Sequence, residues 1–278
     1  MKLPHLVPAC LAVLIAGVVC NDPAVAQSQL VAPRLPDVIY VPTPQPVVDA
    51  MLKMANVQAG EMVYDLGCGD GRAVITAARD FGARGIGVDI DPERIQESLA
   101  NAVSAGVADR VEFKQEDLFQ MRFSDADVLF LYLLPALNLR LRPRILDELR
   151  PGTRVVSHAF TMGDWEHDEK AVVNSKTIFF WRVPAKVAGT WKVSLPGGEE
   201  GTLSLTQSFQ KVNGTLKTKD KTHPLVKARL AGTKLTFDFA QSKDSGQANA
   251  EITGDRFTGT LRRGSAGREE PWSGQLMR

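Results

Sequence analysis

Cysteine is almost missing from this chain: three residues in 278, two of which, Cys10 and Cys20, fall within the first twenty positions. Cys68 stands alone in the rest, which excludes internal disulfides and a cysteine-built zinc site, because one thiolate cannot close a tetrahedral shell. Charge of one sign is lacking too. The net charge is +1, so no global basic field points to nucleic acid. Residues 188–278 carry 14 Lys+Arg against 9 Asp+Glu, leaving 19 against 23 for the first 187. A surplus that small reads as solvated surface, with anionic lipid or an acidic partner as the alternative. The apolar run at residues 11–19 falls short of the roughly 20 residues of a membrane-spanning helix.

That run does have a role. With Lys2 ahead of it and Ala24-Val25-Ala26 before Gln27, it has the layout of a secretory signal peptide over residues 1–26. The expectation is export to the periplasm, or a membrane tether if the segment is not cleaved. Residues 27–46 follow as a Pro-rich extended arm, since Pro33, Pro36, Pro42, Pro44 and Pro46 remove donors and disfavour helix.

From residue 47 the pattern alternates. Helices are expected at 47–56, 72–81, 92–105 and 138–149, and strands at 62–66, 85–89, 111–114, 128–133 and 153–158, with a hairpin at 170–174 and 177–183. This predicts an α/β domain at 47–184, a doubly wound Rossmann-like sheet. After Pro184 short alternating segments punctuated by Gly-Thr pairs predict a small all-β barrel or sandwich at 188–278. Phe209, Phe237, Phe239, Phe257 and Trp272 are its expected core, with Trp191 closing one end.

The sharpest local signal is Asp65-Leu66-Gly67-Cys68-Gly69-Asp70-Gly71-Arg72, between the first strand and its helix. Glycines there let the backbone turn tightly against a ligand at the carboxyl end of the sheet. Arg72 occupies the place of the third glycine in the dinucleotide spacing. Asp65 and Asp70 would repel a pyrophosphate and suit a cation, and S-adenosylmethionine (SAM) carries an ammonium and a sulfonium. Asp89 ends the next strand, where a ribose would offer hydroxyls, and Asp117 follows the third strand.

These residues, with Gly87-Val88-Asp89 and Glu116-Asp117-Leu118, resemble the class I SAM-dependent methyltransferases. The resemblance implies that Asp65 and the loop of Gly67, Cys68, Gly69 and Gly71 hold the methionine moiety. It assigns Asp89, with Ile90 beside it, to the ribose and Asp117 to the adenine edge. As a nucleophile Cys68 lacks a base in any nearby motif, and it reads as backbone and a small side chain.

The Asn/Asp-Pro-Pro-Tyr motif of many amide and adenine methyltransferases is absent, which argues against DNA modification. Tyr40-Val41-Pro42-Thr43-Pro44, together with Leu133-Leu134-Pro135, Asn138 and Pro151-Gly152-Thr153, is similar to the small protein-lysine methyltransferases of mitochondrial membranes and their bacterial relatives. That likeness implies that Tyr40 and Thr43 close over the cofactor, that Tyr132 faces the acceptor, and that the acceptor is a protein lysine. A small molecule or lipid is the alternative acceptor, and a non-catalytic exported binding protein the alternative class. No nucleic acid is expected. Asp127 reads as a strand-opening residue, His158 as a strand-end histidine, and His167 with Asp168 as a solvent-facing pair, so no metal is assigned.

Overall fold

Apolar alternation along the short strands decides which way each side chain points and so builds two faces of one sheet. The computed structural model describes residues 38–241, 244–264 and 267–277; the signal segment at 1–26 and the first part of the arm lie outside them. Gln45–Met54 (α1), Met62–Leu66 (β1), Arg72–Phe81 (α2), Arg84–Asp89 (β2), Pro92–Ser104 (α3), Val111–Gln115 (β3), Val128–Leu131 (β4), Pro135–Glu148 (α4) and Arg154–His158 (β5) lead to the hairpin Glu169–Val173 (β6) and Lys176–Arg182 (β7). The seven strands form one sheet in the order β3-β2-β1-β4-β5-β7-β6. Strands β1 to β5 are parallel, and β7 runs antiparallel between β5 and β6. This is the Rossmann-like sheet that the alternation predicts.

Val63, Val128, Phe130 and Val156 turn to one face and meet Val47, Met51 and Leu52 of α1 and Val74 of α2. Tyr64, Leu66, Leu129 and Leu131 turn to the other and meet Leu141 and Ile145 of α4. Asp91 caps α3 by accepting from the Glu93 N–H at 2.8 Å, with Pro92 in the first turn. The fourth strand ends at Leu131, earlier than expected, and α4 begins at Pro135, also earlier. Proline at a helix start has the right φ and no N–H to lose, so it nucleates α4 and leaves residues 132–134 as a loop.

Beyond the sheet, Gly189–Leu195 (β8), Glu199–Ser208 (β9), Lys211–Lys217 (β10), Thr222–Ala231 (β11), Lys234–Gln241 (β12), Asp244–Thr253 (β13), Arg256–Arg263 (β14) and Glu269–Leu276 (β15) close into an antiparallel barrel. Closure leaves no exposed strand edge. Trp191, Phe237, Phe257 and Trp272 fill its interior, and the Trp191 indole donates to the Val187 carbonyl at 2.9 Å.

Phe209 corrects the expectation. It belongs to the core of the sheet, not of the barrel: its ring stacks on Trp165 with centroids 6.1 Å apart. It occupies the turn between β9 and β10 with φ +55°, beyond the last inward-facing residue of either strand. Gln210 donates to the Glu166 carbonyl at 2.6 Å and the Ala185 N–H to Gly232 at 2.9 Å, so sheet and barrel form one compact unit, Leu35–Arg278.

Candidate active site

The chain reverses direction after β1, and the reversal is pinned from two sides. Gly67 and Cys68 donate to the Val88 carbonyl at 2.7 and 3.0 Å, and the Gly69 N–H donates to Asp89 Oδ2 at 2.9 Å. From α3, Ser98 donates to the Gly69 carbonyl at 2.7 Å and Asn101 to the Asp70 carbonyl at 3.0 Å. At Gly69, with φ +55°, a Cβ would stand 2.2 Å from the Tyr40 ring. Glycine therefore lets the arm lie directly on the loop.

Between the loop, the arm and the end of β4 lies a cavity of about 530 Å³, a common size for a small-molecule site. It opens at the carboxyl ends of β1 and β4, where strand order reverses, as doubly wound sheets place their ligands. Asp65, Gly67, Cys68 and Asp89 line its floor, with Ile90 beside them. Tyr40, Thr43 and Tyr132 line its walls. Gly69 and Gly71 shape the loop without lining the cavity, and a Cβ at Gly71 would strike Phe113 and Ser98. Asp117 does not line it either: its carboxylate accepts from the Phe119 N–H at 2.9 Å, and Leu118 takes the lining position.

Asp65 is 5% exposed, and burial, then the charges of Asp89 and Asp70, push its carboxyl well above the usual range. Among the described residues no cation offsets this. Asp70 differs from the sequence reading of a free carboxylate. Arg72 grips it with Nε at 2.9 Å, and although burial raises the carboxyl, the guanidinium outweighs burial and holds it below its ordinary value. The same Arg72 donates to the Thr43 carbonyl at 2.9 Å, tying arm to loop. Asp89 accepts from Gly69 and from the Asp91 N–H at 3.0 Å, which leaves further carboxylate lone pairs for a ligand. Burial, then Asp65 and Asp89, push the Cys68 thiol up, which makes it a poor nucleophile.

Sequence reasoning passed over His158. Its imidazole is buried at the end of β5, stacks on Tyr132 with centroids 3.9 Å apart, and shares a 3.2 Å hydrogen bond between Nδ1 and the Thr43 hydroxyl. Its Nε2 is buried without a hydrogen-bond partner. Burial, then Lys176, lowers its pKa, so the ring is neutral at pH 7. Only the antiparallel insertion of β7 against β5 brings Lys176 and this strand end together, which no local motif announces. His167 and Asp168 are half-buried and not a solvent-facing pair: Asp168 accepts from the Arg182 N–H at 2.7 Å and His167 meets Phe179 edge-on. Asp127 does open its strand, accepting from the Met62 N–H at 2.9 Å. Among the described residues no three His, Cys, Asp or Glu side chains cluster as metal ligands.

Residues 65–169 match the ANTKMT methyltransferase domain. A protein-lysine N-methyltransferase of Saccharolobus islandicus is 47% identical over 136 residues, 49% of this chain and 84% of that protein. The chain belongs to this methyltransferase family. An ATP synthase lysine N-methyltransferase of Xenopus laevis is 31% identical over 129 residues, 46% of this chain, and the match spans 56% of its own length. A solved structure described as an RNA methyltransferase from Salinibacter ruber in complex with S-adenosyl-L-homocysteine is 51% identical, with a TM-score of 0.52, covering 53% of this chain and 96% of that one. The methyltransferase uses SAM as its cofactor, and the cavity fits it: an uncompensated buried carboxylate at Asp65 suits a cationic ligand, and the apolar walls suit the rest.

Proposed function

We propose that the methyltransferase methylates the ε-amine of a lysine in a protein at a membrane or in the periplasm. The observation that carries the acceptor is the 47% identity to a protein-lysine N-methyltransferase over most of that protein's length. When bound, SAM supplies a methyl group on a sulfonium, open to in-line attack. Asp65 and the loop would hold its ammonium end, Asp89 and Ile90 its ribose, and Tyr40 and Thr43 would cover it. Asp117 would reach the adenine edge only from outside the lining of the cavity.

Alignment and exclusion of water are the chain's own contribution. A lysine ammonium, with a pKa of about 10.4 in water, must lose a proton before its nitrogen can attack. Tyr132, Phe160 and Leu134 face the cavity with aromatic and apolar surface, and desolvation there lowers the ammonium pKa. Thr43 and His158 fix Tyr132 in place.

The rim is apolar as well: Ile39 is 86% exposed and Leu134 48%, which favours an acceptor carrying apolar residues beside its lysine. The lining arginines are engaged, Arg72 with Asp70 and Arg94 with Glu97, so among the described residues the rim offers no free cation to an RNA backbone. Export or tethering rests on residues 1–26; among the described residues no helix is long and apolar enough to cross a membrane.

The test incubates the enzyme with methyl-tritiated SAM and a cell extract, then separates protein, RNA, lipid and low-mass fractions. Label in protein, recovered as methyl-lysine after acid hydrolysis, is the expected result. Label confined to RNA, lipid or small molecules overturns the lysine assignment, and no label in any fraction overturns the enzyme.

A further inference from the structure

The two ends of the barrel differ in what covers them. At one end the β9–β10 turn lays Phe209 on Trp165, and the β11–β12 turn offers the Gly232 carbonyl to Ala185, so the sheet covers that end. At the other end, among the turns β8–β9, β10–β11, β12–β13 and β14–β15, lies a second cavity of about 390 Å³. Leu195, Leu216, Leu261 and Phe239 give it apolar walls, and the packed aromatics of the barrel interior lie beneath.

One polar side chain in its lining has nothing to bond. His223 is 4% exposed, its ring meets Phe239 edge-on at 5.6 Å, and its Nδ1 is buried with no hydrogen-bond partner. Buried polar atoms are nearly always paired, so an unpaired one facing a cavity marks the place of a missing partner. The charges at the rim select no net charge in a ligand. Arg263 is engaged with Glu199 at 2.8 Å, Glu199 also accepts from the Lys219 N–H at 3.2 Å, and Asp220 stands next to Lys221.

We propose that this end of the barrel binds a small uncharged molecule with an apolar body and one hydroxyl group, an aromatic or short aliphatic alcohol. A hydroxyl both donates and accepts, so it satisfies His223 Nδ1 in either tautomer. The body lies against Phe239 and the three leucines. A charged group would have to be desolvated beside an ion pair that is already complete, which disfavours it. This site is separate from the methyl-transfer cavity and stands or falls without it.

The test follows the histidine ring signals of the full chain by NMR while benzyl alcohol is added, with toluene and benzoate as probes of the same shape. The expected result is a saturable shift of the His223 signal with benzyl alcohol, and roughly tenfold weaker binding of the two controls. His223→Phe fills the same space without the acceptor and should abolish benzyl alcohol binding, read on the Leu261 amide. Leu216→Trp, which fills the cavity while keeping His223, should abolish it too. No saturable shift, equal binding of toluene, or unchanged binding in a folded His223→Phe chain would overturn the proposal. Titration with SAM in the same sample reports the other cavity independently.

Discussion

The His158 imidazole lies flat on the Tyr132 ring, 3.9 Å between centroids, while its Nδ1 meets the Thr43 hydroxyl, so one buried side chain ties the arm to the loop after β4. Residues 115 apart in sequence thereby frame one wall of the cavity. The methyl acceptor has to approach along that wall.

Removing the ring should therefore hurt alignment more than cofactor binding. His158→Ala is expected to lower kcat by roughly 10- to 100-fold with SAM affinity little changed, since misplacement of this kind costs rate. Steady-state kinetics on a lysine substrate, paired with SAM titration, separates the two. Equal loss of both would assign His158 to the cofactor pocket.

The same histidine carries a pH signature. Its folded pKa lies below the unfolded value of about 6.5, so the unfolded chain takes up the proton first as pH falls. Its stabilising contribution is full above that value and is lost as pH drops toward the lowered folded pKa. Thermal unfolding from pH 7 downward should show this slope in the wild type and a shallower one in His158→Gln.

Asp65 behaves in the opposite sense. Its raised carboxyl costs stability once pH exceeds the unfolded value of about 3.9, where the unfolded chain ionises first. Asp65→Asn should raise the Tm of the ligand-free protein at pH 7 and leave it unchanged near pH 3, while weakening SAM binding. In the wild type, SAM affinity should rise with pH through the titration of Asp65, since the cation favours the ionised form. Calorimetry in two buffers of different ionisation enthalpy should register proton release on binding.

Gly69→Ala places a methyl group where the Tyr40 ring lies and strains a backbone at φ +55°. The arm must lift off the loop. SAM affinity should fall by roughly tenfold or more, and Tyr40→Ala in the same chain should restore part of the loss by removing the clash, though not the strain.

The strand and helix alternation was legible in the sequence because each strand shows its two faces locally: Val63 and Tyr64, or Val128 and Leu129, are neighbours with opposite destinations. The floor of the cavity was legible for a similar reason, since Asp65, the glycines and Asp89 sit at fixed spacings on β1 and β2. His158 was not, because its meaning comes from Thr43 and Tyr132, which lie far from it along the chain. The ion pair of Arg72 with Asp70 was missed although the two are nearly adjacent, since charge counting does not say which carboxylate a guanidinium takes. Phe209 was misassigned because apolarity alone does not tell a turn that docks on a neighbour from a strand that faces inward.

Calorimetric titration of the chain from Gln27 onward with SAM, beside an Asp89→Ala variant shown to be folded by its thermal transition, bears most directly on the central claim. Asp89 holds both the Gly69 N–H and, in this account, the cofactor ribose. Binding in the micromolar range by the wild type, lost in the variant, is the predicted result. Undiminished affinity in the variant, or no binding by the wild type, would contradict the cofactor site described above.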